Sequence, residues 1–364
     1  MNLKAVLKDM VERDASDLHI KAGSPPVLRI NGRLIIMKHP SLSPEDLKQA
    51  AVNLMTPEQQ RKFAKEKELD FGVGVPGLAR FRVNAYLQRS SIAIAMRTIP
   101  MNVKPLTDLN LPPVLKDLAM KPRGFMLCTG TTGSGKSTTL AAIIDHINEH
   151  VPRNIITIED PIEFLFTDKK SIISQREIGS DTNTFAIALR HAMRQDPDAI
   201  LVGEIRDKET IDTALKAADT GHLVMSTLHT LNAAETINRI ISFYPPHQQQ
   251  HIRVLLSSTL IAVLSLRLIP RADGRGRIPA VEVMINTPTI REYILDPLET
   301  LKIPQAISEG AQYQMQSFDQ SIMHLYEKNL ISYEDAIENV SNPDEFKLRL
   351  RGIQSTSDRT WEEF

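Results

Sequence analysis

At 364 residues the chain exceeds one ordinary domain and is sized for two. Its 43 basic and 44 acidic side chains nearly cancel, which argues against a generally basic nucleic-acid binder but leaves room for a local basic stripe. With 42% hydrophobic and 24% charged residues it has the balance of a globular protein, and the single Cys128 excludes an internal disulfide or a multi-cysteine zinc site.

Met1-Asn2-Leu3-Lys4 opens the chain with acids from Asp9 onward and no apolar core of signal-peptide type. Leu3, Val6, Leu7, Met10 and Val11 recur at helical spacing. Strand-like runs follow at Val27–Ile30 and Leu34–Met37, joined by Asn31-Gly32, a strong hairpin signal. Ser43-Pro44-Glu45 opens a further helix, with serine as cap and proline at the first helical position. Alternation through Phe81–Leu87 and Ile92–Ile99 completes a small α+β module over residues 1–100. Proline-bearing sequence between Pro100 and Pro113 predicts a linker, set at 101–114, before a second domain at 115–364.

In that second domain short apolar runs at Phe125–Thr129, Ile155–Ile158, Ala199–Val202 and Leu223–Thr227 alternate with helical patterns. Ser137–Asn148 is one helix; Phe185, Leu189, Ala192, Met193 and Ile211, Ala214, Leu215, Ala218 mark two more. Such alternation predicts an α/β fold with a mostly parallel sheet covered on both faces. From about Ile240 the pattern reads as largely helical, ending in a polar tail near Ser355. The longest apolar stretch, Leu260 to Ile269, contains Arg267 and is too short to span a bilayer, so membrane association is expected only through a partner.

Gly130-Thr131-Thr132-Gly133-Ser134-Gly135-Lys136-Ser137 satisfies G-x-x-x-x-G-K-[ST] in full, between a strand and a helix. Its glycines allow backbone amides to turn toward phosphate oxygens, Lys136 places a cation near the β and γ phosphates, and the Ser137 hydroxyl can ligate Mg²⁺. Thr138 continues the motif into the helix, whose positive end adds to the cradle for ATP.

A phosphate-transferring site also needs carboxylates. The apolar run ending Val202-Gly203-Glu204 puts Glu204 at the carboxyl end of a parallel strand, where ligands bind, as general base or water-orienting residue. Ile158-Glu159-Asp160-Pro161-Ile162-Glu163 places three acids after another strand, and proline turns the chain there. Glu163 reads as a ligand to magnesium or its water shell, with Glu159 and Asp160 in support; the alternative is an exposed acidic turn. His222 and His229 bracket the strand at Leu223–Thr227, and His229 is placed either to sense the γ-phosphate or to pass its state to a neighbouring subunit.

In this order Gly130–Ser137, Ile158–Glu163, Gly203-Glu204 and Gly221–His229 resemble the Walker A, Asp, Walker B and His boxes of secretion ATPases. Ser16-Asp17-Leu18-His19 and Gln316-Ser317-Phe318-Asp319-Gln320-Ser321 extend the resemblance over nearly the whole chain, and within that family it is similar to the PilT group, the retraction motors of type IV pili. The resemblance implies a PAS-like N-terminal domain joined to a RecA-like P-loop ATPase core, assembled as a homo-hexamer with ATP between the domains. It implies a cytoplasmic motor held at the inner membrane through a pilus platform protein, with a second pilus motor ATPase as a further partner and no nucleic acid. It also implies arginines from the N-terminal domain acting on the nucleotide, here Arg82 and Arg97 with Arg80 nearby. Cations there would stabilise the γ-phosphoryl transition state by roughly 10³ or more in rate.

One stretch departs from the retraction motors. Their Ala-Ile-Arg-Asn-Leu-Ile reads here as Thr289-Ile290-Arg291-Glu292-Tyr293-Ile294 and agrees at three positions, which keeps an accessory motor of the PilU kind beside the main one. Two readings from other classes also stand: a RecA-like nucleic-acid translocase, and a scaffold that binds ATP without turning it over.

Overall fold

A computed structural model describes residues 1–30, 32–100 and 103–350. The chain divides into two compact units, the smaller made of Met1–Asn102 with Asp160–Leu165 and Glu177–Asp181, the larger of Val103–Glu159, Phe166–Arg176 and the chain from Thr182.

In the smaller unit α1 (Leu3–Glu12) buries Val6, Leu7 and Met10 along one face, and Asn2 caps it by accepting from the Ala5 amide. Then come β1 (Asp17–Lys21), β2 (Val27–Ile30) and β3 (Arg33–Ile36). Two helices follow, α2 (Pro44–Leu54) and α3 (Pro57–Glu66), each opened by a reciprocal capping box, Ser43 with Asp46 and Thr56 with Gln59. Strands β4 (Glu68–Val75), β5 (Ala79–Gln88) and β6 (Ser91–Ile99) complete a six-stranded sheet in the order β3-β2-β1-β6-β5-β4. Asn31 lies outside the described residues, but the hairpin it was read to form is antiparallel, with Val27 opposite Ile36. Alternation divides β5 into Phe81, Val83 and Ala85, which are buried, and Arg80, Arg82 and Asn84 on the opposite face. Phe81 is fully buried, so Phe81→Ala should cost this unit about 3–5 kcal/mol, read as an early thermal transition that ATP does not shift.

The larger unit begins with α4 (Val114–Ala119), β7 (Gly124–Thr129), α5 (Lys136–His150), β8 (Asn154–Glu159) and β9 (Ile172–Glu177). Next are α6 (Phe185–Ala192), β10 (Ala199–Val202), α7 (Lys208–Asp219), β11 (Leu223–Leu228), α8 (Ala233–Ser242) and α9 (Pro246–Thr259). A hairpin, β12 (Leu260–Pro270) and β13 (Arg277–Ile285), precedes α10 (Pro288–Leu295), α11 (Ile303–Ser308), α12 (Phe318–Glu327), α13 (Tyr333–Asn339) and α14 (Pro343–Leu350). The sheet order is β13-β12-β7-β11-β10-β8-β9, with β7, β8, β10, β11 and β12 parallel and β13 antiparallel at one edge. Strands β7, β10 and β11 are buried throughout, and so read as unbroken apolar runs.

The expectation of a largely helical region after Ile240 is corrected by β12 and β13. Both faces of β12 are mostly buried, which erases the period-two pattern and leaves a run resembling a buried helix. The Asp273-Gly274 pair between the two strands is the turn signal that betrays it. From Val103 onward the proline-bearing segment groups with the larger unit, where Leu106 and Leu111 are buried in its core. Among the described residues no helix is long and apolar enough to cross a membrane.

Candidate functional site

Strand β7 delivers the chain to Gly130, and α5 starts at Lys136, so the glycine loop occupies the turn between a buried strand and a helix N-terminus. Gly130 has φ of +139°, and a Cβ there would lie 2.5 Å from the Leu266 carbonyl oxygen and the Ser134 hydroxyl. No side chain fits at that point, which lets the loop lie tight on β12. Gly135, the N-cap residue, has φ of +97° and no side chain to cap the first amides of α5, leaving them for a ligand.

The Lys136 ammonium donates at 2.8 Å to the Gly130 carbonyl and at 2.8 Å to the Thr131 carbonyl, so it lies across the loop from within. The Ser134 hydroxyl is buried with no hydrogen-bond partner. Thr131, Thr132 and Gly133 are exposed at the loop tip, and Ser137 and Thr138 are half-buried in the first helical turn. A cation, an unpartnered hydroxyl and open helix amides in one turn suit a polyphosphate.

Beside them lies a cavity of 440 Å³, walled by Gly135 and Thr138 on one side, Lys104 and Leu109 on another, and Leu268 and Arg271 of the β12–β13 hairpin on a third. That volume lies within the range of small-ligand pockets. The hairpin residues were missed in the sequence because β12 itself was missed. The Asp-Gly turn flanked by apolar runs could have found them.

Glu204 follows β10 on a fastened turn. The Gly203 amide donates to the Ile158 carbonyl at 2.8 Å, the Ile205 amide to the Thr227 carbonyl at 3.1 Å, and the Thr227 hydroxyl to the Gly203 carbonyl at 2.6 Å. One Glu204 oxygen lies 3.0 Å from His229 Nε2, and the other accepts from Arg206 at 2.9 Å. The structure thus brings two predicted residues together and adds Arg206 on the other oxygen of Glu204. His222, in contrast, acts locally: its Nδ1 is 2.8 Å from the Ala217 carbonyl at the end of α7.

Glu159 ends β8 and is buried, accepting from the Thr157 hydroxyl at 2.6 Å and from Gln175 at 3.3 Å. Glu163 and Asp160 are exposed and group with the smaller unit, while Lys136, Glu159, Glu204 and His229 belong to the larger.

Within the smaller unit Arg82 and Arg97 are direct cross-strand partners on one face of the sheet, and both are exposed. Like charges opposite one another repel. Asp17, opposite Arg97 in β1, relieves this by accepting from the Arg97 guanidinium at 2.8 Å, and Arg29 lies 3.9 Å from it on the other side. Burial acts to raise the Asp17 carboxyl pKa, but hydrogen bonds from Ser16 and Arg97 outweigh it and hold it below the usual carboxylate range. Asp17 and Arg29 were not singled out as functional residues in the sequence. Arg80 is committed elsewhere, donating at 2.9 Å to Glu177, which is buried and also accepts from the Gly72 and Ile162 amides.

Residues 1–310 match the family described as type II/IV secretion system protein. The chain belongs to that family. It is 43% identical over 346 residues to the type IV pilus retraction ATPase PilT of Pseudomonas aeruginosa, covering 95% of this chain and 100% of that one. Against the type IV pilus ATPase PilU of the same organism it is 38% identical over 359 residues, covering 98% of this chain and 94% of the other. A crystal structure of the pilus retraction motor PilT with bound ADP superposes with a TM-score of 0.87 and 44% identity, over 95% of this chain and 98% of that one. The larger unit is therefore the RecA-like core of a secretion ATPase, and the chain is a P-loop ATPase.

In α10 the three residues that agree with the retraction motors include Ile290 and Ile294, both fully buried, while the departures Thr289 and Glu292 are exposed and Tyr293 is half-buried. The differences thus fall where they alter the surface and leave the packing of the helix intact.

Proposed function

We propose that this chain forms a homo-hexameric motor that couples ATP hydrolysis to disassembly and retraction of a type IV pilus. The observation that carries this reading is a complete, well-formed P-loop in a chain that matches a retraction ATPase over that protein's entire length. Gly130 to Thr138 cradle the phosphates, and Lys136 exchanges two backbone carbonyls for the β and γ oxygens. Glu204 orients or deprotonates the attacking water, and His229, in contact with it, responds to the γ-phosphate. Arg82 and Arg97 supply positive charge to the transition state.

Mg²⁺ would be held by the Ser137 hydroxyl, with Glu163 and Glu159 ordering its water shell, and would neutralise charge on the β and γ oxygens. The described residues contain no group of three or more His, Cys, Asp or Glu able to cage an ion. A cation bound mainly through substrate phosphates and one hydroxyl needs no such cage.

The motor would act on the cytoplasmic face of the inner membrane, against a pilus platform protein and alongside a second pilus motor ATPase. Arg82→Ala and Arg97→Ala should each leave nucleotide affinity within about twofold and slow turnover by roughly 10²- to 10³-fold. Unchanged turnover in both, measured on the hexamer by phosphate release, would remove the arginine role. Deletion of the gene should leave cells with excess surface pili and no twitching movement. Normal piliation and movement would refute the motor reading. The exposed α10 departures and the match to PilU favour a second reading as an accessory motor; in that case deletion would reduce movement only under load. Stimulation of hydrolysis by single-stranded DNA, falling steeply with salt, would instead favour a translocase.

A further inference from the structure

The larger unit holds a buried carboxylate that none of these steps uses. Glu282, on β13, is only 7% exposed, and its Oε1 accepts from the Ala233 amide at 2.7 Å and from the Ser265 hydroxyl at 3.1 Å. The Ser265 hydroxyl in turn accepts from Thr129 at 3.1 Å. Thr129, Ser265 and Glu282 are register partners across β7, β12 and β13, so they form one row on one face of the sheet. Thr129 and Ser265 are fully buried.

Each end of this row touches a functional segment. Thr129 immediately precedes Gly130 and the phosphate loop. Ala233 is the first residue of α8, and the loop between β11 and α8 carries His229. That loop is already tied at its start, where Leu228 pairs with Thr129 in the parallel ladder. The row of three ties its far end to the same point of β7 by the opposite route.

Capping α8 does not by itself account for Glu282. Asn232 is the side-chain cap of that helix, accepting from the Glu235 amide at 2.8 Å, while Glu282 takes a different donor, the Ala233 amide, and the Ser265 hydroxyl on β12 besides. Burial pushes the Glu282 carboxyl above the usual carboxylate range, working against the two donors that favour its charged form. A costly buried carboxylate that joins the start of α8 to β12 points to a role beyond capping.

We infer that Thr129, Ser265 and Glu282 form a positioning relay that fixes the His229 loop relative to the phosphate loop, and so sets the contact between His229 and Glu204 from which turnover proceeds. A loop anchored at both ends to one strand loses the freedom to drift from it; with the relay cut, Glu282 still holds the Ala233 amide but is no longer fixed to β7 through the Ser265 and Thr129 hydroxyls, so the far end of the loop gains play. The inference rests on the His229 role proposed above and is tested separately from it.

The experiment is a double-mutant cycle on the hexameric full-length protein. Ser265→Ala and Thr129→Val cut the relay without touching Glu282, and Thr129→Ser keeps the hydroxyl. In the wild-type background the two cuts should each lower kcat about fivefold to tenfold, the loss of one hydrogen bond expressed in the transition state, with KM within about twofold. Thr129→Ser should restore kcat to within about twofold. Made on top of His229→Ala, the cuts should have little further effect. An equal loss in both backgrounds, a loss confined to KM, or no loss at all would overturn the relay. If His229→Ala itself leaves kcat unchanged, the His229 role fails first, and the relay loses its target with it.

Discussion

Lys136→Ala should abolish useful ATP binding. The ammonium now donates to the Gly130 and Thr131 carbonyls at the loop's own mouth. Removing it would take away the cation proposed to meet the β and γ phosphates and leave the Gly130 and Thr131 carbonyls without that donor. Charge-assisted hydrogen bonds are worth about 1.5–3 kcal/mol each, so losing two of them predicts an affinity at least roughly 100-fold weaker. Titration calorimetry with ATP and Mg²⁺ reads this directly. Thermal melting gives a second reading: saturating ATP at about 100 times its dissociation constant should stabilise the wild type by about 2.7 kcal/mol and the variant hardly at all. The fold itself should survive, because β7 and the apolar face of α5 pack without the lysine. An affinity within a few-fold of wild type would mean that the triphosphate is gripped elsewhere.

Glu204→Gln should do the opposite, binding ATP normally while turnover falls by about 10²- to 10⁴-fold, the usual contribution of a positioned general base. The amide keeps an acceptor for Arg206 or His229 and stays on the same fastened turn after β10. What it lacks is the capacity to take a proton from water. Single-turnover hydrolysis with equilibrium binding of ATP separates the two effects. Turnover within a few-fold of wild type would transfer the base to another residue. A protein whose cellular role was untouched by the loss of hydrolysis would be the ATP-gated scaffold, and the motor reading would fall.

These expectations draw unevenly on what was visible in the chain. Gly130 to Thr138 were legible because their chemistry is consecutive: the backbone turn, the lysine and the hydroxyl all come from one short segment. Glu204 was legible because a strand ending in an acid points to the ligand side of a parallel sheet. The contact of Glu204 with His229 was not, since 25 residues and a helix separate them and only the pairing of β10 with β11 sets them side by side. Asp17 and Arg97 meet across 80 residues, and nothing local to either marks the other as a partner.

Taken alone, the sequence determined which segments are helix or strand where one face stays wet, and which turn carries the full P-loop pattern, because those properties arise from neighbouring residues. Only the tertiary structure decided that Leu260–Pro270 is a strand in the sheet, that its hairpin walls the cavity beside the P-loop, and that Asp160–Leu165 and Glu177–Asp181 pack with the smaller unit. A segment buried on both sides carries no periodic mark, and the choice among distant partners is made by burial and register summed over the whole molecule.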